Sequence, residues 1–335
     1  MITIINFKKE KELSEFYSPK EASIEEVEVE IRYGPLTGKT SRIIEKPFPI
    51  AEDPDMSDVE KDGFCPICPE NIYDVGARDP RILDKKLGEK GEAVLMANIT
   101  PYAKYSLVCR LTEEHYLELD EFEVHHFSDA FDLLADYLKR LKGEVENKFP
   151  SIIMNYLKPA GSSIVHPHVQ MLVSDVPNDY YRRRYENGKR FYEENGESYW
   201  KALVRKDDQR RIGNTGDIDW LAAFSPQGFE HVKGVFDGDF LEIDTQDISK
   251  GIVNILETYK ELNFNSFNIS IFIPPLDYEK GFATVIDMVT RSNLDKFYWS
   301  DVSSIGKLQD EPLTNRRPEE LVSDYQDKFD SSFHG

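Results

Sequence analysis

The chain has 335 residues, 40% of them hydrophobic, which is enough to bury a large core in one domain or two fused units. Its 62 acidic and 41 basic residues give a net charge of −21, which excludes a general nucleic-acid or anionic-membrane surface because like charges repel. No apolar run reaches the roughly 18 residues that span a bilayer. Three cysteines, and an N-terminus without a signal-peptide pattern, favour a cytoplasmic protein with reduced thiols.

The first predicted elements are two strands joined by a tight turn. Residues 26–33 (EVEVEIRY) alternate apolar and charged side chains, which is typical of a strand. The turn GPLTGK and the apolar segment SRII follow, and together they predict a hairpin. Residues 46–64 are acidic and loop-like, and the segment FCPICPEN comes directly after them.

From residue 93 onward, the order strand, strand, helix, strand, strand occurs twice. The first copy comprises AVLMANI, YSLVCRL, a long amphipathic helix within residues 119–149, SIIMNYL and IVHPHVQMLVS. The second comprises DWLAAFS, HVKGVF, DISKGIVNILETYKEL, SFNISIFI and FATVIDMVTR. Residues 178–207, between the copies, are charged, aromatic and helix-prone. We therefore predict an α+β fold that arose by internal duplication, with units at 1–175 and 176–335.

The segment VHPHVQ carries the strongest catalytic signal. Side chains alternate between the faces of a strand, so His166, His168 and Gln170 are expected on one face. The opposite face is apolar and consists of Val165, Pro167, Val169, Met171 and Val173. Pro167 cannot donate to a neighbouring strand, which places it at a sheet edge or beside a gap. The preceding residues Gly161, Ser162 and Ser163 offer N–H and O–H donors to an anion near the histidines.

Cys65 and Cys68 form a Cys-Pro-Ile-Cys motif. The spacing suits two zinc thiolates or a redox pair, and the flanking prolines favour zinc. A second such motif is lacking, so histidines must complete a zinc site. His115 in the loop TEEH and one histidine of VHPHVQ are the best candidates. His125 and His126 are neighbours on a helix, about 100° apart, and are expected to be ordinary helix residues.

Together, LVCRLTEEH, CPICPEN and AGSSIVHPHVQ resemble the galactose-1-phosphate uridylyltransferases, a branch of the histidine-triad superfamily; IRYGPLTG resembles that family's N-terminal hairpin. The resemblance implies two fused histidine-triad-like repeats, each an antiparallel sheet with a long helix. It implies zinc ligation by Cys65, Cys68, His115 and His166. It implies that His168 is the nucleophile, that Gln170 hydrogen-bonds the α-phosphate, and that Asn98 lies on the nucleoside side. It further implies phosphate contacts from Arg32, Asn155, Gly161, Ser162 and Ser163.

The resemblance also implies a reaction and an assembly. A nucleoside monophosphate would move between sugar 1-phosphates through a nucleotidyl-histidine. Lys296 and Gln309 match positions that reach the sugar phosphate from the partner subunit of a homodimer. Alternatives are a phosphorylase that uses inorganic phosphate, a hydrolase, and a non-catalytic zinc-stabilised nucleotide-binding protein. FATVIDMVTR has no histidine, so the family's second metal site is expected to be absent. Two segments differ from those that contact the nucleoside and the sugar in the family: Asn98-Ile99-Thr100 and FYWSDVSSIGKL. The resemblance therefore does not identify the base or the sugar of the substrate.

Overall fold

The computed structural model describes residues 5–45, 56, 59, 63–143, 148–277, 280–295 and 300–330. In chain order the strands are β1 (Lys9–Ser18), β2 (Ser23–Tyr33), β3 (Thr40–Ile44), β4 (Gly88–Lys90), β5 (Ala93–Ala97), β6 (Tyr105–Arg110), β7 (Phe149–Tyr156), β8 (His168–Ser174), β9 (Arg211–Thr215), β10 (Ile218–Ala222), β11 (Phe229–Phe236), β12 (Phe267–Phe272), β13 (Thr284–Thr290) and β14 (Leu313–Thr314). The α-helices are α1 (Pro69–Val75), α2 (Val124–Lys142), α3 (Asp179–Asn195), α4 (Tyr199–Lys206), α5 (Thr245–Glu261), α6 (Ser304–Gln309) and α7 (Pro318–Asp330). Within the described ranges, every helix is too short or too polar to cross a membrane.

Ten strands form one antiparallel sheet in the order β4-β5-β6-β8-β7-β12-β13-β11-β10-β9. The two halves of the sheet have the same connectivity. The order from one end is β4-β5-β6-β8-β7, and the order from the other end is β9-β10-β11-β13-β12. In each half, three sequential strands are followed by the fifth strand and then by the fourth. The two halves meet where β7 pairs with β12. The α+β class and the antiparallel sheet are therefore as predicted, although the two halves share one continuous sheet. The boundary between residues 175 and 176 stays a prediction.

The pairing register relates the two halves residue by residue. Met171 of β8 pairs with Ile152, and Met288 of β13 pairs with Ile269, so the same residue types meet at the same place. One position earlier, Gln170 pairs with Ile153 and Asp287 pairs with Ser270. Asp287 therefore occupies in the second half the place that Gln170 occupies in the first.

Two long helices cover one face of this sheet. α2 and α5 pack against each other and bury apolar side chains in a core shared with the sheet. The predicted apolar face of the VHPHVQ strand lies in this core: Val165, Val169, Met171 and Val173 are all at most 4% exposed. The histidine face is thereby turned to the opposite side of the sheet, away from α2 and α5.

The start of β8 lies beside a gap, one of the two environments expected for Pro167. β8 is not an edge strand, since it runs between β6 and β7. On the β6 side, pairing reaches His168, and the Leu111 N–H donates to the Pro167 carbonyl at 3.0 Å. On the β7 side, pairing ends at Gln170, and His168 therefore has an open flank.

A smaller sheet of β1, β2, β3 and β14 completes the described structure. β2 and β3 form the predicted hairpin around the turn at 34–39. β1 pairs with β2 along its whole length, and nine of its ten residues are exposed. Its charged residues occupy both faces, which explains why no alternating pattern reveals it.

Candidate active site and metal centre

Four side chains predicted to bind metal come together. The ligand atoms of Cys65, Cys68, His115 and His166 all lie within 4.8 Å of one another. Cys68 Sγ lies 3.3 Å from His115 Nδ1 and 3.4 Å from His166 Nδ1, and Cys65 Sγ lies 3.7 Å from His166 Nδ1. In a tetrahedral zinc site with ordinary bond lengths, neighbouring ligand atoms lie roughly 3.3 to 3.8 Å apart. The four residues therefore fit a zinc ion in donor type and in spacing.

Hydrogen bonding prepares His166 for a metal. Its Nε2 lies 2.8 Å from the Thr112 carbonyl oxygen, which can only accept, so Nε2 carries the proton and donates it. Nδ1, which faces the two sulfurs, is then left with its lone pair. Burial lowers the pKa of His166 to about 4, which keeps the ring neutral. A backbone carbonyl behind a histidine ligand is a common arrangement in metal sites.

The cysteine loop is held by backbone and side-chain contacts. Cys68 caps α1, whose first residue is a proline, and Asn71 donates to the Cys65 carbonyl at 2.8 Å. Arg110, which is 1% exposed, donates to the Glu92 carbonyl at 2.9 Å and 3.2 Å and to the Ile67 carbonyl at 3.5 Å. One buried guanidinium thus joins the loop to β6, the strand next to β8. No sequence pattern indicated this role for Arg110.

His168 lies beside the cysteine–histidine cluster and has a fixed tautomer. Its Nδ1 lies 2.8 Å from the His166 carbonyl oxygen, so Nδ1 donates a proton there. The lone pair is then on Nε2. His168 is 6% exposed, and burial lowers its pKa, which favours the neutral ring at physiological pH. A neutral imidazole with a free Nε2 lone pair can act as a nucleophile.

Gln170 lies two residues further along the same face of β8. Its Oε1 accepts a hydrogen bond of 3.4 Å from Asn98 Nδ2, while Asn98 Oδ1 accepts from the Thr100 N–H at 2.8 Å. This orientation leaves the Gln170 Nε2 group to donate elsewhere. Gln170 and Asn98 are both only partly buried, so a ligand can reach them. The structure therefore brings two predicted substrate residues into direct contact beside His168.

The loop between β7 and β8 has an unusual backbone. Leu157 has a φ of 66° and Gly161 a φ of 86°. A leucine with positive φ is strained, and such strain is often found at functional sites. Ser162 is buried and donates to the Ile164 carbonyl at 2.6 Å, whereas Ser163 is exposed. Of the two serines, Ser163 is thus the one whose hydroxyl faces solvent.

Asn268, on β12 in the second half of the chain, supports this loop. Its Nδ2 donates to Asn155 Oδ1 at 2.7 Å and to the Ala160 carbonyl at 2.9 Å. Its Oδ1 accepts from Arg291 at 2.8 Å, and Arg291 makes a bidentate ion pair with Asp301. Sequence reasoning missed Asn268 because its partners in this loop, Asn155 and Ala160, lie more than a hundred positions away.

The other predicted substrate residues lie elsewhere. Arg32 is fully buried and donates to Glu30 at 2.6 Å and to Glu319 at 2.7 Å and 3.0 Å, which joins β2 to α7. None of its described contacts joins it to His168. Gln309 is exposed at the end of α6. Lys296 lies outside the described residues. The substrate roles of these three residues stay predictions.

A second group of metal-binding residue types comprises Glu92, His125 and His126. His126 Nδ1 accepts from the Glu123 N–H at 3.0 Å at the start of α2, so Nε2 bears the proton of the neutral ring. The histidine is therefore occupied as a helix cap, in agreement with its expected role as an ordinary helix residue. Glu92 is also engaged, since its Oε2 accepts from Thr112 and from the Glu113 N–H, both at 2.8 Å.

Comparison with known proteins supplies one close relative. An uncharacterized protein of Archaeoglobus fulgidus is 41% identical over 328 residues, covering 96% of this chain and 98% of the relative. The chain belongs to the same family as this archaeal protein. No family model matches the chain.

Solved structures show the same fold at lower identity. An ADP-glucose phosphorylase from Arabidopsis thaliana with bound ADP-glucose has a TM-score of 0.68 at 16% identity, covering 88% of this chain and 97% of that one. A uridylyltransferase structure has a TM-score of 0.67 at 15% identity, covering 90% and 99%. The chain therefore has the uridylyltransferase fold, and the resemblance inferred from the sequence is confirmed at the level of the fold.

Proposed function

We propose that the protein is a nucleotidyltransferase that moves a nucleoside monophosphate between sugar 1-phosphates through a covalent intermediate on His168. The observation that carries the proposal is the hydrogen bond from His168 Nδ1 to the His166 carbonyl, which leaves the lone pair on Nε2. The shared fold with a uridylyltransferase and an ADP-glucose phosphorylase supports the reaction class.

The proposed reaction has two displacements at phosphorus. In the first, Nε2 attacks the α-phosphorus of a nucleotide sugar; the N–P bond forms, and the P–O bond to the departing sugar 1-phosphate breaks. In the second, a phosphate oxygen of the acceptor attacks the same phosphorus and the N–P bond breaks. The Nδ1 proton stays on the ring throughout, because the His166 carbonyl accepts its hydrogen bond and stabilises the positive charge that develops.

The side chains around His168 suit charge on the phosphoryl oxygens. Gln170 can donate through Nε2, and Ser163 can donate through its exposed hydroxyl. Because the transition state spreads charge over these oxygens, such donors act mainly through correct placement. Gly161 borders open space, since a Cβ added at this position would have no other heavy atom within 4 Å. Asn155, held by Asn268, completes the proposed phosphate contacts.

We assign the four-residue cluster to one zinc ion with a structural role. Cys65, Cys68, His115 and His166 would supply all four ligands and leave no open position for substrate. Bound zinc would tie the cysteine loop to the segment that carries His168. The His166 side chain would then be fixed by the metal, while its backbone carbonyl orients His168.

The second substrate is either a sugar 1-phosphate or inorganic phosphate. The fold is shared about equally with a uridylyltransferase and with an ADP-glucose phosphorylase, and the first displacement is common to both reactions. The altered segment Asn98-Ile99-Thr100 keeps adenine as well as uracil open as the base. A phosphorylase is therefore the second candidate.

A single experiment tests the proposal and separates the candidates. The protein is incubated with UDP-glucose, UDP-galactose and ADP-glucose, and mass spectrometry identifies any nucleotidyl adduct and its residue. The adduct is then offered glucose 1-phosphate, galactose 1-phosphate or inorganic phosphate. We expect an adduct on His168 that a sugar 1-phosphate discharges. Discharge of the adduct by inorganic phosphate alone would identify a phosphorylase. Discharge of the adduct by water would identify a hydrolase. Absence of an adduct with every donor would favour a binding protein.

A further inference from the structure

A pocket formed by the turn at 34–37 and by elements of the second half of the chain is lined by members of a buried charged cluster. The cluster is centred on Asp287, the residue that occupies on β13 the place of Gln170 on β8. Asp287 accepts hydrogen bonds from Arg184 of α3, from His231 Nε2 at 3.0 Å, and from Lys233. Arg184 and Lys233 line the pocket, and the described lining includes no residue of the site around His168.

The guanidinium of Arg184 is only partly used. Nη1 donates to Asp287 at 2.7 Å, but Nε and Nη2 are buried and make no hydrogen bond among the described residues. These two nitrogens form the same edge of the planar group, and their N–H bonds are parallel. Such an edge matches two oxygens of a carboxylate or phosphate. The side chain is 1% exposed, and buried donors are rarely left without a partner.

The basic groups of the cluster favour an anion. Arg184 and Lys233 face one carboxylate, Asp287; burial lowers the pKa of Lys233, and the adjacent Asp287 carboxylate opposes that shift. His231 adds no charge, because burial lowers its pKa and its Nδ1 accepts from the Gln227 N–H. Asp207 also lines the pocket and forms an ion pair of 2.6 Å with Arg210, which is shared with Glu319. A buried positive charge without a counterion is costly, and a bound anion relieves that cost.

The remaining walls are mostly aromatic and apolar. Trp200 and Tyr180 lie beside the Arg184 guanidinium, with ring centroids 4.8 Å and 5.3 Å from its central carbon. The indole N–H of Trp200 is a third buried donor without a hydrogen-bond partner in the described chain. The turn between β2 and β3 covers the pocket and is held by Asn187, which donates to the Leu36 carbonyl at 2.8 Å. The recess is small, about 60 Å³, and is partly open to solvent.

We propose that this pocket is a second ligand site, which binds a small organic oxoanion through the Nε and Nη2 edge of Arg184. The indole N–H of Trp200 donates to the same anionic group, and the aromatic walls contact the apolar part of the ligand. The site is distinct from the proposed catalytic site, and apart from the turn at 34–37 its lining belongs to the half of the chain without the His-Pro-His segment.

Isothermal titration calorimetry tests the proposal with three probes: inorganic phosphate, phenyl phosphate and benzoate. We expect phenyl phosphate or benzoate to bind the intact protein at this site more tightly than inorganic phosphate, because only they offer a ring to the walls. Comparing the affinities of phenyl phosphate and benzoate shows whether the site prefers a phosphate or a carboxylate group. Arg184→Lys keeps a positive charge beside Asp287 but removes the pair of parallel N–H donors at Nε and Nη2. It should weaken this binding at least about tenfold.

Two controls locate the binding. Arg183→Lys changes an exposed neighbour on α3 and should bind the probes as the wild type does. Gln170→Ala alters the proposed catalytic site and should keep the Arg184-dependent binding. Loss of binding in Gln170→Ala but not in Arg184→Lys would place the anion at the catalytic site and overturn the proposal. Failure of all three probes to bind the wild type at millimolar concentration would overturn it as well.

A second variant covers the case in which Arg184→Lys does not fold, as judged by circular dichroism. Trp200→Phe keeps an aromatic ring beside Arg184 and removes only the indole N–H. We expect it to weaken probe binding several-fold, by about the effect of one lost hydrogen bond to an anion. Unchanged affinity in a folded Trp200→Phe protein would contradict the inferred arrangement of donors.

Discussion

The imidazole of His168 donates from Nδ1 to the backbone carbonyl of His166 at 2.8 Å. The same His166 directs its side chain to Cys65 and Cys68 and its own Nε2–H to the Thr112 carbonyl. One residue therefore connects the cysteine cluster to the orientation of the proposed nucleophile. The connection runs through the backbone, so a change of side chain at His166 would act on His168 indirectly.

Replacing the proposed nucleophile separates chemistry from folding. His168→Ala should abolish the nucleotidyl adduct and lower turnover about 10³-fold or more, because the covalent route is lost. Zinc content and melting temperature should change little, since His168 is not a proposed ligand. His125→Ala, on the exposed side of α2, is the matched control and should keep full activity. Product formed at the wild-type rate by His168→Ala would exclude the assignment.

Removing a thiol from the cluster should affect the metal and stability together. We expect Cys65→Ala to lose most of its zinc, measured by plasma mass spectrometry, and to lower the melting temperature by about 5 °C or more. Cys109→Ala is the control, because Cys109 is buried in the core away from the cluster and should keep its zinc. A native protein that contains no zinc would refute the metal assignment.

Asn268 is expected to position the proposed phosphate-binding loop. Asn268→Ala removes the hydrogen bonds to Asn155 and to the Ala160 carbonyl, and we expect kcat/KM to fall about tenfold. Asn254→Ala removes a comparable bond, at 3.2 Å to the Lys328 carbonyl, on α5, which covers the face of the sheet opposite to the histidines. The prediction fails if both variants lose activity equally or if neither does.

The ion pairs around Glu319 should make stability depend on acid pH. Burial raises the pKa of Glu319, but the hydrogen bonds from Arg32 and Arg210 outweigh it and lower the pKa to about 2. A lowered pKa contributes stability above the unfolded value near 4.5, and this contribution is lost as the pH falls toward 2. It amounts to at most about 3 kcal/mol. Urea unfolding between these pH values should show the loss in the wild type. Glu319→Gln should reduce the dependence of the free energy of unfolding on pH. Glu320 is half exposed, and Glu320→Gln should leave this pH dependence unchanged.

Subunit complementation tests the expected homodimer. If Gln309 acts on the active site of the partner subunit, Gln309→Ala and His168→Ala proteins should each be weakly active alone. Mixing them after mild dissociation should restore up to about a quarter of wild-type activity, because mixed dimers then contain one intact site. A monomer in analytical ultracentrifugation, or no gain on mixing, would remove the partner role of Gln309.

Local patterns were sufficient for much of the fold. The repeated strand and helix order predicted the antiparallel α+β architecture, since alternation and the 3.6-residue period depend only on neighbouring residues. The helix predicted within residues 119–149 is present as α2, which is shorter at both ends and runs from Val124 to Lys142. β1 shows no apolar alternation because it is exposed on both faces, β4 has only three residues, and β9 (RIGNT) contains a single apolar residue.

The sequence by itself determined the residue types of the site: a cysteine pair, the His-Pro-His segment with its glutamine, and the side of the strand on which each lies. Only the tertiary structure decided which atoms meet. The Thr112 and His166 carbonyls fix both imidazole tautomers, Arg110 holds the cysteine loop, and Asn268 holds the loop before β8. Tertiary structure also placed Arg32 in buried ion pairs and Asp287 opposite two cations. These contacts join backbone groups or distant residues, and no local spacing encodes the distance between them.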